Sequence, residues 1–263
     1  MGLKTDEGTR LTYGDIVSMI DQNIILSIVI PFYNEEASIE KVCTEIRQVF
    51  SITHNITWEL IIVDDGSTDR THEILFNLDA QYNNFHALHL SPNSGQSAAL
   101  DAGIHSAKGT YIATLDGDGQ NDPHDIPRLL DALKESGKDM ICGIRQRRAD
   151  NLVRRVSSRI ANRIRSAVLK DNISDVGCSL RIFRHDCMNR VRFFRNAHRF
   201  FPALFIMAGY TVMETPVNHR PRKHGTSKYG GGIQSRLWVG IVDLLGVYWL
   251  RRRSFKYTIT GKG

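Results

Sequence analysis

Between residues 24 and 145, the chain alternates between two hydrophobic patterns. Nearly continuous apolar runs, typical of strands buried on both faces of a parallel sheet, predict strands at 25–32, 58–63, 85–90, 111–115 and 139–144. Apolar residues three or four positions apart predict helices at 39–50, around 74–78, at 96–106 and at 126–135. Strands that alternate with helices form βαβ units. The sequence therefore predicts a three-layer α/β/α domain around a mostly parallel, mixed sheet.

Polar residues follow four of these predicted strands at the point where each strand ends. Ligands of open α/β sheets bind at the carboxyl ends of the strands, so these positions are candidates for a shared site. Turn chemistry alone explains any one of them but not four in succession. The clusters are Asn34 and Glu35, Asp64 and Asp65, Asn93 and Gly95, and Asp116 and Asp118.

The fourth cluster, Asp116-Gly117-Asp118, is the candidate metal site. Alternate residues of an extended strand share a face, so both carboxylates can reach one cation where the strand frays. Hard divalent cations such as Mg²⁺ bind one or two carboxylates and complete their shell with substrate phosphates. The alternative is an ordinary strand that ends in an Asp-Gly turn.

The composition of the chain indicates which classes of partner it is suited to bind. The chain has 263 residues and a formal net charge of +6, which favours an anionic partner such as a nucleotide, a phospholipid or a nucleic acid. Its four cysteines form no C-x-x-C motif or disulfide framework, which favours a reducing compartment. Residues 1–23 read as a polar extension without the apolar region of a signal peptide, and no segment has the roughly 20 apolar residues of a membrane span.

Four motifs together resemble the inverting family-two glycosyltransferases with a GT-A fold. They are Pro31–Glu35, Val63–Asp69, Asn93–Gly95 and Asp116–Gln120, and the resemblance extends over residues 24–250. It implies a nucleoside-diphospho-sugar donor, linked to GDP or UDP, in residues 24–120. It also implies that Asp116, Asp118 and Gln120 hold Mg²⁺ or Mn²⁺. The residues it assigns to the donor are Pro31, Tyr33, Asn34, Glu35, Asp64, Asp65, Asn93, Gly95, Asp116 and Gly117.

The second half, residues 121–232, indicates which members of this family the chain resembles. An arginine-rich segment at 145–165 precedes Asp175–Arg181, His198–Pro202 and Arg222–Tyr229, a set similar to dolichol-phosphate mannose synthases and bacterial polyprenyl-phosphate glycosyltransferases. The implied acceptor is a polyprenyl phosphate. The residues assigned to its phosphate are Arg145, Arg148, Arg155, Ser179, Arg222 and Lys228. The catalytic assignments are Asp175, Asp118 and Arg148.

These assignments have alternatives. The arginines also suit a solvated basic face of a helix, and Asp175 also suits a turn before Gly177. A phosphate monoester is mostly ionised at neutral pH, so its transferase needs cations rather than a general base. An enzyme with a hydroxyl acceptor is the alternative function, and a basic nucleic-acid-binding protein is a distant one. Neither T-E-D nor Q-x-x-R-W occurs, so we do not expect a polysaccharide synthase.

The C-terminal segment 233–263 predicts membrane association. Its apolar part, 237–250, carries one charge at Asp243 and precedes the basic cluster Arg251–Arg253. Tryptophan and tyrosine beside basic residues suit the surface of an anionic leaflet. The apolar run is too short to cross a bilayer as a helix. The alternatives are a core helix or a contact in a homo-oligomer. The expected location is peripheral, at the cytoplasmic face of a bacterial inner membrane.

Overall fold

The computed structural model describes residues 24–53, 56–146, 152–221 and 233–253. The polar extension 1–23, residue Arg148 and the basic loop 222–229 with Arg222 and Lys228 lie outside these ranges.

Within the described residues, seven strands form one mixed sheet in the order β3-β2-β1-β4-β6-β5-β7. Only β6 runs against its neighbours β4 and β5, whereas all other neighbouring pairs are parallel. The strands are β1 Leu26–Phe32, β2 Trp58–Asp64, β3 Phe85–His89, β4 Tyr111–Thr114, β5 Met140–Arg145, β6 Arg181–Arg184 and β7 Val212–Val217. The predicted, mostly parallel mixed sheet is confirmed.

Helices connect the strands and cover both faces of the sheet. They are α1 Ile39–Ile52, α2 Thr71–Gln81, α3 Gln96–Ser106, α4 Asp125–Ser136, α5 Leu152–Leu169, α6 Phe201–Met207 and α7 Ile233–Arg253. Short 3₁₀ turns at His185–Asn189 and Ala197–Arg199 lie between β6 and α6. The four helices predicted before residue 145 are all present, with ends within a few residues of those expected.

The two faces of β1 bury residues in two different cores. Ile28 and Ile30 pack with residues of α1 and α4, whereas Val29 packs with residues of α3 and α6. This alternation follows from the two-residue period of a strand, and it explains why strands covered on both sides are apolar throughout. A Cβ at Gly103 would lie 2.4 Å from a Val29 methyl carbon, so glycine allows α3 to approach the sheet closely. The three-layer α/β/α arrangement is confirmed.

The insertion of β6 between β4 and β5 shapes the carboxyl edge of the sheet. Because β6 is antiparallel, its first residue lies at the edge where β4 ends, and Arg181 pairs in register with Thr114. An isolated bridge between Asn121 and His219 ties the segment after β4 to the exit of β7. The second half of the domain therefore contributes side chains to the same edge as the first half.

Candidate functional site

The Asp116–Asp118 turn lies at the centre of this edge. The Gln96 amide donates to Asp116 Oδ1 at 2.7 Å, and the Gln120 backbone donates to Asp118 Oδ1 at 3.1 Å. Burial, then the charge of Asp118, raises the pKa of Asp116 to about 6, against the opposing effects of Ser179 and two arginines. Two carboxylates that repel each other in this way gain from a bound cation.

Gly117 lets the turn pass close to β1. A Cβ at this position would lie 2.5 Å from the ring of Phe32, and the Ser38 hydroxyl donates to the Gly117 carbonyl at 2.7 Å. The turn is therefore fixed between the end of β1 and the start of α1. This explains why glycine separates the two carboxylates.

A second set of predicted residues meets where β2 and β3 end. The carboxylate of Asp65 accepts hydrogen bonds from the Asn93 side chain at 2.9 Å and from the Ser94 and Gly95 amides at 2.8 and 2.9 Å. Burial raises the pKa of Asp65, and the two amides act in the opposite direction. Gly95 adopts φ +90°, a backbone conformation suited to glycine. The β3–α3 loop thus fixes the orientation of the Asp65 carboxylate.

The loop after β1 is tied to the loop after β2. Asn34, with φ 49°, donates its amide to the Ser67 hydroxyl at 2.9 Å and accepts from the Thr68 amide at 2.7 Å. Glu35 donates its backbone amide to the Thr71 hydroxyl at 2.9 Å. The residues predicted from both motifs therefore form one connected rim. Pro31 lies within β1, and Tyr33 is partly exposed just beyond it.

Asp64 faces away from Asp65 and its partners. One carboxylate oxygen accepts the Ser67 amide at 3.0 Å, and the other lies 2.8 Å from His89 Nδ1. Successive residues of a strand point to opposite faces, so the two neighbouring aspartates take separate surroundings. Asp64 supports the rim through Ser67 instead of pointing into it.

A cavity of about 260 Å³ opens beside Asp116. Its wall includes Ser179, an expected acceptor residue, and three residues that the sequence analysis did not assign: Arg181, His198 and Arg199. The guanidinium of Arg181 is buried and donates to the carbonyls of His198 and Val176, both at 3.0 Å, while its Nε has no partner among the described residues. A buried cation therefore lies beside the candidate metal site.

His198 is neutral in this wall. Burial and the nearby Arg199 and Arg181 lower its pKa to about 3. Its Nδ1 lies 2.8 Å from the Ser97 hydroxyl, which also accepts the His198 backbone amide. In the sequence, Arg181 and His198 belong to the motifs Asp175–Arg181 and His198–Pro202, with no role assigned to either side chain. Their role at the cavity depends on the position of β6, which spacing along the chain does not reveal.

Asp175 and Arg145 are bound to each other. Arg145 donates to both carboxylate oxygens at 2.7 and 2.8 Å, and the amides of Ser174 and Asp175 donate to Glu214. A Cβ at Gly177 would lie 2.5 Å from Arg145 Nη2. The pair therefore lies directly beside Gly177, which lines the cavity, and a phosphate would bind Arg145 only by sharing it with Asp175.

The arginine-rich segment continues into α5, and its arginines differ in surroundings. Arg165 is buried, forms an ion pair with Asp171 and donates to the Ile173 carbonyl at 2.9 Å, so it holds the turn after α5 in place. Arg163 is exposed, as expected of a solvated face. The side chain of Arg155 lies outside the part of α5 whose side chains are described.

Solved structures share this fold. Glucosyl-3-phosphoglycerate synthase from Mycobacterium tuberculosis, in complex with Mn²⁺, UDP and glucosyl-3-phosphoglycerate, superimposes with a TM-score of 0.61 at 17% identity, over 97% of this chain and 89% of its own. A mannosyltransferase from Pyrobaculum calidifontis, in complex with GDP-Man and Mn²⁺, gives 0.60 at 18% identity, over 89% and 65%. The architecture is that of the GT-A class.

Sequence comparison gives the family. The family model for glycosyl transferase family 2 matches residues 27–192. The dodecaprenyl-phosphate galacturonate synthase of Rhizobium johnstonii is 37% identical over 238 residues, which cover 88% of this chain and 68% of that protein. The undecaprenyl-phosphate 4-deoxy-4-formamido-L-arabinose transferase of Edwardsiella ictaluri is 36% identical over 208 residues, 78% of this chain and 63% of that protein. The chain belongs to glycosyltransferase family 2, and the resemblance to bacterial polyprenyl-phosphate glycosyltransferases is confirmed.

Proposed function

We propose that the protein transfers a sugar, with inversion, from a nucleoside-diphospho-sugar to a polyprenyl phosphate at a membrane surface. The observation that carries the proposal is the placement of the Asp116–Asp118 turn beside a cavity with the buried cation Arg181 in its wall. This arrangement suits one diphosphate held by a metal and a second anionic group next to it. Two relatives, which are named as polyprenyl-phosphate sugar transferases, support this acceptor.

The donor nucleotide would lie against the rim formed by the loops after β1, β2 and β3. Asp65, held by Asn93 and the Gly95 amide, would accept a hydrogen bond from the base or ribose. Pro31, Asn34 and Glu35 would line the same pocket. GDP and UDP both fit this description, and the proposal covers either.

Asp116 and Asp118, with Gln120, would hold Mg²⁺ or Mn²⁺ against the diphosphate. The carboxylates offer only oxygen atoms as ligands, and these hard cations prefer oxygen ligands. The pKa of Asp116 is raised because the nearby arginines do not offset the effects of burial and of the Asp118 charge. When bound, the cation neutralises the charge that builds on the departing nucleoside diphosphate.

The acceptor phosphate would approach from the cavity side. Arg181 and Arg199 provide positive charge there, beside the hydroxyl of Ser179. An ionised phosphate can attack the anomeric carbon without losing a proton, so a general base is not required. Asp175 would act by fixing Arg145 beside Gly177, a residue of the cavity wall. Arg148, Arg155, Arg222 and Lys228 remain proposed contacts for the same phosphate.

Helix α7 would place the enzyme on the membrane. Its inner face packs on the body, where Val247 is fully buried and Asp243 accepts a hydrogen bond from Asn196. Its outer face exposes the large apolar residues Trp238, Val242, Leu245 and Trp249, spaced as one helical stripe. A core helix explains the inner face but not this stripe. Within the described residues, no helix has the length and apolar content that crossing a membrane requires.

The test is an assay with undecaprenyl phosphate and a panel of UDP- and GDP-linked sugars, with and without Mn²⁺. The expected product is a lipid-linked sugar phosphate, whose glycosyl phosphate bond mild acid cleaves. The Asp118→Asn variant, which keeps the side-chain shape, should make none. An acid-stable glycoside formed on a hydroxyl acceptor would favour the alternative function, and activity that survives EDTA would contradict the metal.

A further inference from the structure

We propose that Asp64, His72 and His89 form a second cation site, distinct from the Asp116–Asp118 turn and suited to a transition metal such as Zn²⁺. One ligand atom from each of the three residues lies within 4.8 Å of the other two. The site does not depend on the proposed function, because none of its three residues lines the cavity or is a hydrogen-bond partner of the Asp65 carboxylate.

Three rigid elements bring the ligands together. Asp64 is the last residue of β2 and His89 the last of β3, and the two are direct partners in the parallel register. His72 lies in the first turn of α2, which follows β2. A site that depends on backbone pairing and a helix start keeps its shape better than one on a loop.

The distances are close to those of a metal site. His89 Nδ1 lies 2.8 Å and His72 Nδ1 lies 3.4 Å from the same oxygen, Asp64 Oδ2. Tetrahedral zinc with bonds of about 2.0–2.1 Å separates its ligands by about 3.3 Å. A shift of about half an ångström in the His89 ring would therefore admit the ion. The two rings already meet edge to face, with centroids 4.4 Å apart.

The electrostatics favour a cation there. Asp64 is completely buried, and its partners in the described part of the chain are the Ser67 amide and the two imidazoles, with no lysine or arginine among them. A buried carboxylate without a full positive charge is costly, and a divalent ion would supply one. The side chains of His72 and His89 are 49% and 36% exposed, which leaves a path for the ion and for a water ligand.

The ligand types separate this site from the first one. Two imidazoles and one carboxylate suit Zn²⁺, Co²⁺ or Ni²⁺, whereas Mg²⁺ prefers oxygen ligands alone. The Ser67 amide contacts Asp64, and the Ser67 hydroxyl accepts the Asn34 amide. An ion at this position would therefore stiffen the rim that the donor pocket shares.

The experiment titrates Co²⁺, then Zn²⁺, into the full chain without a histidine tag, carrying Asp118→Asn to weaken the first site. One equivalent of Co²⁺ should bind with the visible absorption of nitrogen coordination, and Zn²⁺ should displace it. His72→Gln and His89→Gln should each weaken binding at least tenfold, since even loss of a supporting contact to a ligand costs 10–100-fold. The matched control is His86→Gln, three residues before His89 on β3 and paired with Glu59 instead.

Two results would overturn the proposal: no Co²⁺ or Zn²⁺ bound by the Asp118→Asn chain, or equal affinity in all three histidine variants. Thermal unfolding without metal checks that each variant folds. His72 is half exposed at the start of a helix, so His72→Gln keeps the test decisive if His89→Gln does not fold. Binding of UDP and GDP is measured in parallel, so that failure of the donor pocket is seen separately.

Discussion

Arg145 and Asp175 form a two-point ion pair, with Nε 2.8 Å from Oδ2 and Nη2 2.7 Å from Oδ1. The pair is nearly buried, with side-chain exposures of 13% and 9%, and it joins the end of β5 to the loop before β6. Breaking a buried pair leaves an uncompensated charge, whereas an exposed pair contributes little. Arg145 is thereby held in one orientation beside Gly177, a residue of the cavity wall.

We therefore expect Asp175→Asn to lower the free energy of unfolding by roughly 3–5 kcal/mol, the cost of breaking a buried pair. Denaturant unfolding measures this directly. The matched control is Asp186→Asn, which breaks the exposed pair with Arg184 and should cost less than about 1 kcal/mol. If the two variants lose equal stability, the Arg145 pair does not hold the wall together.

The pKa of Asp116 predicts how metal binding depends on pH. Its folded-state value of about 6 lies above the ordinary 3.8, so the proton is held more tightly in the folded protein. Ionising Asp116 therefore costs stability above about pH 6, and that cost disappears as the pH falls towards 4. A proton also competes with the cation. Mn²⁺ affinity should fall by up to about tenfold per pH unit below pH 6.

The measurement is a Mn²⁺ titration between pH 5 and 8, followed by electron paramagnetic resonance. It is made in a chain with His72→Gln and His89→Gln, so that imidazole protonation does not contribute. In the metal-free protein, Asp118→Asn should lower the pKa of Asp116, because the charge of Asp118 is the second cause of its rise. A Mn²⁺ affinity that does not change between pH 5 and 7 would contradict the assignment of Asp116 as a ligand.

The first half of the fold follows from the sequence because parallel strands buried on both faces leave continuous apolar runs. The same parallel order brings Asp65 to Asn93 and Gly95, since adjacent strands end at one edge. The position of β6 does not follow in this way: it is four residues long, antiparallel, and inserted between β4 and β5. Arg181 reaches Asp116 only through that insertion.

The pattern of charges along α5 also does not determine which of its arginines are buried. Arg165 belongs to an arginine-rich run whose sequence suits phosphate binding or, alternatively, a solvated face, yet it is buried against Asp171 beyond the end of the helix. The sequence gives the sign of the charge on a side chain, but it does not show whether a carboxylate from a distant part of the chain forms an ion pair with it. For the same reason, Asp64 reads as a donor residue by its place in the Val63–Asp69 motif, whereas its carboxylate faces His72 and His89.

Helix α7 gives a prediction for membrane binding. Replacing Trp238 and Trp249 together by serine should weaken binding to vesicles that contain anionic lipid. Each ring covers roughly 150–250 Å², so burying half of it contributes about 2 kcal/mol, or about 30-fold in binding for each tryptophan. Co-sedimentation with vesicles measures the change.

The control for the double substitution of Trp238 and Trp249 is Ile52→Ser at the end of α1. Ile52 is apolar and 74% exposed but lies outside the stripe on α7. It should leave vesicle binding unchanged. Loss of binding in the control would point to a general effect of surface hydrophobicity. Unchanged binding in the tryptophan variant, with a shift to smaller oligomers in sedimentation, would show that the outer face of α7 contacts a second copy of the chain.

Arg181 holds two backbone carbonyls and, in the proposed function, also faces the acceptor phosphate. Its two terminal nitrogens hold the carbonyls of His198 and Val176, and its Nε has no partner among the described residues. Lysine at this position keeps the charge but loses the planar fork. We expect Arg181→Lys to reduce kcat/KM for polyprenyl phosphate about 10- to 100-fold, the worth of a charge-assisted bond, while nucleotide Kd stays the same.

Arg165→Lys provides the matched comparison, because Arg165 is also buried and also donates to a backbone carbonyl, but lines no part of the cavity. It should lower the melting temperature without changing the ratio of acceptor KM to nucleotide Kd. Measuring melting temperature, nucleotide Kd and acceptor kinetics in both variants separates the two roles of Arg181. If Arg181→Lys behaves like Arg165→Lys in all three measurements, its role is structural. The positive charge for the acceptor phosphate must then come from Arg199 or from the other proposed contacts, Arg148, Arg155, Arg222 and Lys228.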